Sequence, residues 1–233
     1  MPVLAEHVRA HHPVRILAIG SSSTQGVGAS SLQSSYPEQL EDRLEDIWPR
    51  SEVDVVNAGV NGETADQTLL RFERALAAPA KPDLVLWQVG TNDAIRGGDE
   101  AGFKATLERG IGVAAAADVS LLLIDQQFFP TIKDRPRYER YVAIVAEVAK
   151  AYAVPVFSRF ALMRDWAERD VALLRSMLSG DGFHMSDRGY ACLAGALSRT
   201  IESAVAQTPV ASMMWISRTK RLRPGPTPAI RRG

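Results

Sequence analysis

The stretch Arg15-Ile16-Leu17-Ala18-Ile19-Gly20-Ser21-Ser22-Ser23-Thr24 decides how this chain is read. Four consecutive apolar residues run into a glycine and then into a cluster of hydroxyls. An unbroken apolar run marks a strand covered on both faces, as in a parallel sheet, whereas a half-exposed strand alternates. Four more such runs follow: Val53–Val56, Leu84–Val89, Leu121–Ile124 and Val154–Phe157. Their starts lie about 30–40 residues apart, room enough for a crossover helix in each interval.

The intervals carry helical patterns. Ser35-Tyr36-Pro37-Glu38 reads as a capping box ahead of the stripe Leu40, Leu44 and Ile47, and Thr64-Ala65-Asp66-Gln67 reads as a second ahead of Leu69, Phe72 and Leu76. Gly102–Ala117 forms a third helix. Tyr138, Tyr141, Val145 and Val148 mark a fourth, and a last one starts near Ser186 with Tyr190, Leu193, Leu197 and Ile201 at helical spacing. This alternation predicts an α/β fold: an open α/β/α sandwich around a five-stranded, parallel, flavodoxin-like sheet of order 2-1-3-4-5. The domain spans residues 15–207, between a polar segment at 1–14 and a basic, proline-rich tail at 208–233.

Composition narrows the function classes. Hydrophobic residues make up 46% and charged residues 23%, as in a globular protein. Lys+Arg 27 balances Asp+Glu 27, so no overall basic surplus points to nucleic acid. The basic residues of the tail leave the body mildly acidic. One cysteine, Cys192, excludes an internal disulfide, and its setting in Tyr190-Ala191-Cys192-Leu193-Ala194 reads as a packed helix. No apolar run is long enough to cross a bilayer, and the first 15 residues lack the apolar centre of a secretory signal. The sequence as given is therefore expected in the cytoplasm, export not being excluded if a leader was removed. The patch Met213-Met214-Trp215-Ile216 reads as docking on the body, with membrane contact the lesser alternative. His7, His11 and His12 read as a solvated N-terminal segment that could bind a metal only adventitiously, and the chemistry read from the strand-end loops requires neither a metal nor another cofactor.

In doubly wound sheets, ligands bind beyond the carboxyl ends of the strands. Four loops there carry chemistry. Gly20-Ser21-Ser22-Ser23-Thr24-Gln25-Gly26 fits neither a phosphate-cradling loop nor a G-x-S-x-G elbow, leaving a hydroxyl cluster or a helix-capping turn. In Asn57-Ala58-Gly59-Val60-Asn61-Gly62-Glu63-Thr64, Gly62 either makes a turn or presents a bare N–H to a ligand oxygen. Gly90-Thr91-Asn92-Asp93 offers an amide donor at the sheet rim. In Asp181-Gly182-Phe183-His184 a carboxylate sits three residues before the imidazole, within reach to orient it and stabilise its charged form.

Together these four blocks resemble the SGNH (GDSL-type) serine hydrolases over roughly Arg15 to Gln207. The resemblance implies a Ser-His-Asp triad of Ser22, His184 and Asp181, with an oxyanion hole from the Ser22 and Gly62 N–H groups and the Asn92 side chain. It implies hydrolysis of carboxylic esters, short-acyl or acetyl ones favoured, with a small-molecule ester as partner. The same residues would serve acyl transfer to an alcohol, and a non-catalytic carbohydrate- or nucleotide-binding module is the alternative from another class. One position departs from the family: Ser21 stands where the first block carries Asp. In the loop Asp125-Gln126-Gln127-Phe128-Phe129-Pro130, Gln126, Gln127 and Phe128 are candidate substrate contacts, with at least one of the Phe pair expected in the core.

Overall fold

In the computed structural model, which describes residues 1–209, the five apolar runs become five parallel strands. They are β1 (Val14–Gly20), β2 (Val53–Gly59), β3 (Leu84–Gln88), β4 (Ser120–Ile124) and β5 (Val156–Phe157). Their order is β2-β1-β3-β4-β5, as the sequence predicts. Ten α-helices are described: α1 (Pro2–Ala10), α2 (Ser22–Gln25), α3 (Tyr36–Ile47), α4 (Ala65–Ala77) and α5 (Thr91–Arg96) precede α6 (Glu100–Ala117) and α7 (Arg135–Ala151). The chain then continues through α8 (Arg159–Arg169), α9 (Val171–Met177) and α10 (Asp187–Gln207). None is long and apolar enough to cross a membrane among the described residues.

Burial explains the unbroken apolar runs. Every residue of β3 and β4 is buried because helices cover both faces of the sheet. Register matters most for the site. Gly20 pairs with Gly59 and Ile19 with Trp87, so the ends of β1, β2 and β3 finish side by side. The loops that leave them therefore share one rim.

Several local expectations change. The Thr64 box forms as read, with Gln67 Oε1 accepting the Thr64 N–H at 3.0 Å. Ser35 precedes α3 without a side-chain cap, its hydroxyl buried and unbonded. Residues 2–10 are not a solvated segment but a helix, with Leu4 and Ala5 fully buried. Arg9 closes α1 onto the end of α10 through the Val205 and Thr208 carbonyls, while His7 lies 3.0 Å from Asp83. Cys192 faces solvent on α10, because the packed stripe there runs through Tyr190, Leu193, Leu197 and Ile201. α8 and α9 are additional to the sequence reading. From residue 210 on, the basic tail and its Met213–Ile216 patch lie outside the described residues.

Candidate active site

The first loop turns at once into α2, with Ser22 as its first residue. Its four hydroxyls have different fates. Ser21 Oγ and N–H both donate to Gln88 Oε1, at 3.3 and 3.0 Å. Ser23 Oγ donates to Gln127 Oε1 at 2.9 Å, and Thr24 Oγ1 meets both Tyr36 and Gln88. Ser22 is different: its Oγ has no hydrogen-bond partner among the described residues, yet it is not among the sealed polar atoms. Its N–H, at the start of a helix, also lacks an intrahelical acceptor.

The second loop presents Gly62 at φ +80°, in the left-handed region that favours glycine. Its carbonyl accepts from Arg96 at 2.7 Å, while its N–H has no acceptor among the described residues. The third loop supplies Asn92, whose Nδ2 donates one hydrogen to the Glu63 carbonyl at 2.8 Å and keeps a second. Asp93 binds the Ala65 N–H at the start of α4, which locks the second and third loops together. Burial raises the Asp93 pKa.

One residue outside the four blocks braces this half of the rim. Arg71 on α4 grips the Glu63 carboxylate and donates to the Ala58 carbonyl at 2.7 Å and the Gly20 carbonyl at 3.3 Å. It thereby ties together the ends of β1 and β2 and the Gly62 loop. The only hint in the sequence is a cation beside the apolar stripe of Leu69 and Phe72.

In the fourth loop Asp181 Oδ2 lies 2.6 Å from His184 Nδ1. Asp181 Oδ1 accepts from the Ser179 hydroxyl and from the Phe183 and His184 N–H groups, at 2.7 to 2.9 Å. Burial opposes ionisation here, but the hydrogen bonds, that of His184 foremost, outweigh it and hold the carboxyl well below the usual carboxylate range. His184 Nε2 has no partner among the described residues, and no hydrogen bond joins Ser22 to the ring. The two loops are nonetheless in contact. Gly28, at φ +92°, comes so close that an added Cβ would sit 2.9 Å from the Cβ of His184. Beyond it, Tyr190 Oη donates to the Val27 carbonyl at 2.7 Å.

The loop after β4 is placed differently from expectation. Gln126 is fully buried against Gly90, Gln127 is 1% exposed, and Phe128 packs edge-on to Phe160. None of the three lies open to a substrate: β4 continues into a segment that the helices and the fourth loop cover. Phe129 is buried as well. Asp125 caps α8 through the Phe160 N–H and the Ser158 hydroxyl, and burial pushes it up to about 6.

Beside the third and fourth loops lies a cleft of about 510 Å³, lined by Ala94, Ile95, Phe129, Ile132, Tyr138 and Phe183, with Lys133, Asp134 and Arg137 also in its wall. That is within the usual size of small-molecule sites. Phe183 forms the shared wall, its ring edge-on to both His184 and Phe129 at 4.7 and 4.8 Å between centroids.

The model of the Non-GDSL lipase-like family matches residues 1–207. The chain belongs to that family. This non-GDSL lipase-like protein is thus a member of the SGNH hydrolase superfamily and a carboxylic ester hydrolase. It is similar to the thioesterase 1/protease 1/lysophospholipase L1 of Escherichia coli (strain K12), 28% identical over 190 residues, or 82% of this chain and 84% of that one. Its identity to the esterase TesA of Pseudomonas aeruginosa is 29% over 171 residues, covering 72% of this chain and 78% of that protein. A two-domain esterase active on acetylated mannans shares the fold, with a TM-score of 0.72 at 22% identity. That match covers 88% of this chain but 53% of the other, so the non-GDSL lipase-like chain spans about half of that structure.

Proposed function

We propose that this chain hydrolyses its esters through an acyl-enzyme on Ser22. The carrying observation is that, of the adjacent hydroxyls at residues 21 to 24, only that of Ser22 is uncommitted. A substrate carbonyl between the loops is attacked by Ser22 Oγ, whose proton passes to His184 Nε2. Asp181 holds Nδ1 and balances the charge of the imidazolium. The bond to the leaving alcohol or thiol breaks as His184 returns the proton to it. Water then repeats the sequence, releasing the acid and restoring Ser22. Catalytic hydrogen bonds in unliganded sites commonly close only around substrate, which accommodates the unmade Ser22–His184 bond.

The negative charge that develops on the carbonyl oxygen meets the Ser22 and Gly62 N–H groups and the second Nδ2 hydrogen of Asn92. Loss of one such donor costs about 10²–10³ in turnover. Asn92→Ala is therefore expected to lower kcat by that factor with little change in KM, read from initial rates on p-nitrophenyl esters. A rise in KM with kcat unchanged would remove Asn92 from the oxyanion hole.

The acyl group fits the apolar cleft walled by Phe183. Its volume exceeds what an acetyl group fills, which favours acyl chains of several carbons over acetate. A lost or gained methylene is worth about 1–3 kcal/mol in such a pocket. Phe183→Ala, by deepening the cleft, is expected to raise the ratio of kcat/KM for octanoyl over butyryl esters by about tenfold. Taking a ratio cancels any disturbance of His184, against which the ring packs. An unchanged ratio would place the acyl chain elsewhere.

The whole reading is tested by labelling with a fluorophosphonate and mapping the adduct by mass spectrometry. The adduct belongs on Ser22; one found on Ser21 or Ser23 overturns the assignment.

A further inference from the structure

The Ser22 and His184 loops must be held in mutual register for a proton to pass between them, and one buried side chain joins them next to the reacting residues. Gln127 Oε1 accepts from Ser23 Oγ at 2.9 Å, and its Nε2 donates to the Phe183 carbonyl at 3.0 Å. Ser23 is the residue after Ser22, and Phe183 the residue before His184. The Gln127 backbone is itself anchored, its carbonyl accepting from Tyr138 Oη at 2.7 Å. At 1% exposure the side chain is shielded from water, the bond to Ser23 being buried and that to the Phe183 carbonyl half-buried.

The chemistry of the amide suits this place. It carries an acceptor and a donor on the same carbon, which lets one planar group take a hydroxyl on one side and a carbonyl on the other. A carboxylate would keep the first bond and repel the second. A thioether of similar length would make neither. The other ties between the two loops, Tyr190 to Val27 and Ser30 to Asp187, act five or more residues beyond Ser22.

We infer that Gln127 is a positioning residue for the hydrolytic reaction, holding Ser22 and His184 at the separation and angle that proton transfer requires. The inference rests on the assignment of Ser22 and His184 under Proposed function. Gln127 touches neither substrate nor reacting atoms, so its effect belongs to acylation and not to substrate binding. A displacement of catalytic groups by about 1 Å costs about 10²-fold in rate.

The test compares wild type, Gln127→Met, Ser23→Ala and the double variant by kcat, KM, the second-order rate of phosphonylation by a fluorophosphonate, and thermal melting. Gln127→Met is expected to lower kcat and the phosphonylation rate together by about 10–100-fold, with KM within about threefold of wild type. Ser23→Ala, which cuts one end of the tie and is the milder change to the fold, is expected to lower the phosphonylation rate by about threefold to tenfold, again with KM held. The double variant is expected to fall no further than Gln127→Met alone, because both substitutions cut the same connection. A merely structural role predicts a lower melting temperature without this split between kcat and KM. Phosphonylation at the wild-type rate in Ser23→Ala, or in a folded Gln127→Met, overturns the inference. Ser22→Ala serves as the control: labelling that persists in it overturns the underlying assignment instead, so the two failures are distinguishable.

Discussion

Ser22→Ala is expected to lower kcat by about 10⁶, the scale on which removal of a serine nucleophile acts in unrelated hydrolases. The magnitude depends on whether a neighbour can substitute. Ser21 donates its hydroxyl to Gln88, Ser23 to Gln127, and Thr24 to the Gln88–Tyr36 pair, so each would have to break a buried hydrogen bond before it attacked. A buried partner left unsatisfied costs about 1–3 kcal/mol, before any cost of misplacement. Residual turnover in the variant thus reflects the oxyanion donors and binding alone. Rates on p-nitrophenyl butyrate, with active sites counted by fluorophosphonate titration of the wild type, provide the measurement. Activity above about 1% of wild type, a far smaller loss than the mechanism demands, would show that the acyl group is carried elsewhere.

Asp181→Asn comes next, with an expected fall in kcat of about 10⁴ and an unaltered fold. The direction follows from the hydrogen bonds on the two carboxylate oxygens. Oδ1 accepts from three donors, the Ser179 hydroxyl and the Phe183 and His184 N–H groups, so the carbonyl oxygen of the introduced amide must occupy that place. Its NH₂ then faces His184 Nδ1 and donates to it. The ring proton is driven to Nε2, where it blocks acceptance of the Ser22 proton. The native carboxyl, held well below the usual carboxylate range, stays ionised through the acid limb of the rate profile. Protonation of Asp181 is therefore expected to add nothing to the fall of wild-type kcat/KM on that limb. A slope of two would show that Asp181 titrates in the same range. An Asp181→Asn variant within tenfold of wild type would remove the carboxylate from the mechanism.

The cleft and the oxyanion donors bear on different steps, and the variants separate them. In the proposed mechanism Asn92 acts on the oxygen of the carbonyl, Phe183 on the chain attached to it, and Gln127 on the spacing of the groups that attack it. Only the Phe183 substitution is expected to reorder substrates by acyl length.

The strand runs, the helices that follow Thr64 and Ser186, and the four blocks were all legible in the chain. Each is a local signal: apolar runs answer to burial on both faces, and caps and turns answer to neighbours within a few residues. The missed elements depend on contacts distant in the chain or run against the usual habit of a residue type. α1 shows a short, histidine-rich pattern whose apolar side, Leu4 and Ala5, gains meaning only against α10. Gln126 and Gln127 look like surface amides because amides mostly are exposed.

The sequence by itself determined that five strands alternate with helices, that a serine, a glycine and an asparagine leave the ends of the first three, and that an Asp-His pair stands ahead of the last helix. Tertiary structure alone decided which of three neighbouring serines keeps a free hydroxyl, because the partners that occupy the other two, Gln88 and Gln127, lie 67 and 104 residues away along the chain. It also decided that Arg71 clamps the Gly62 loop to the ends of β1 and β2 and that Gln127 ties Ser23 to Phe183. Such bonds depend on strand order and register, which bring distant residues within 3 Å or so, and no periodicity or turn signal near either partner encodes that meeting.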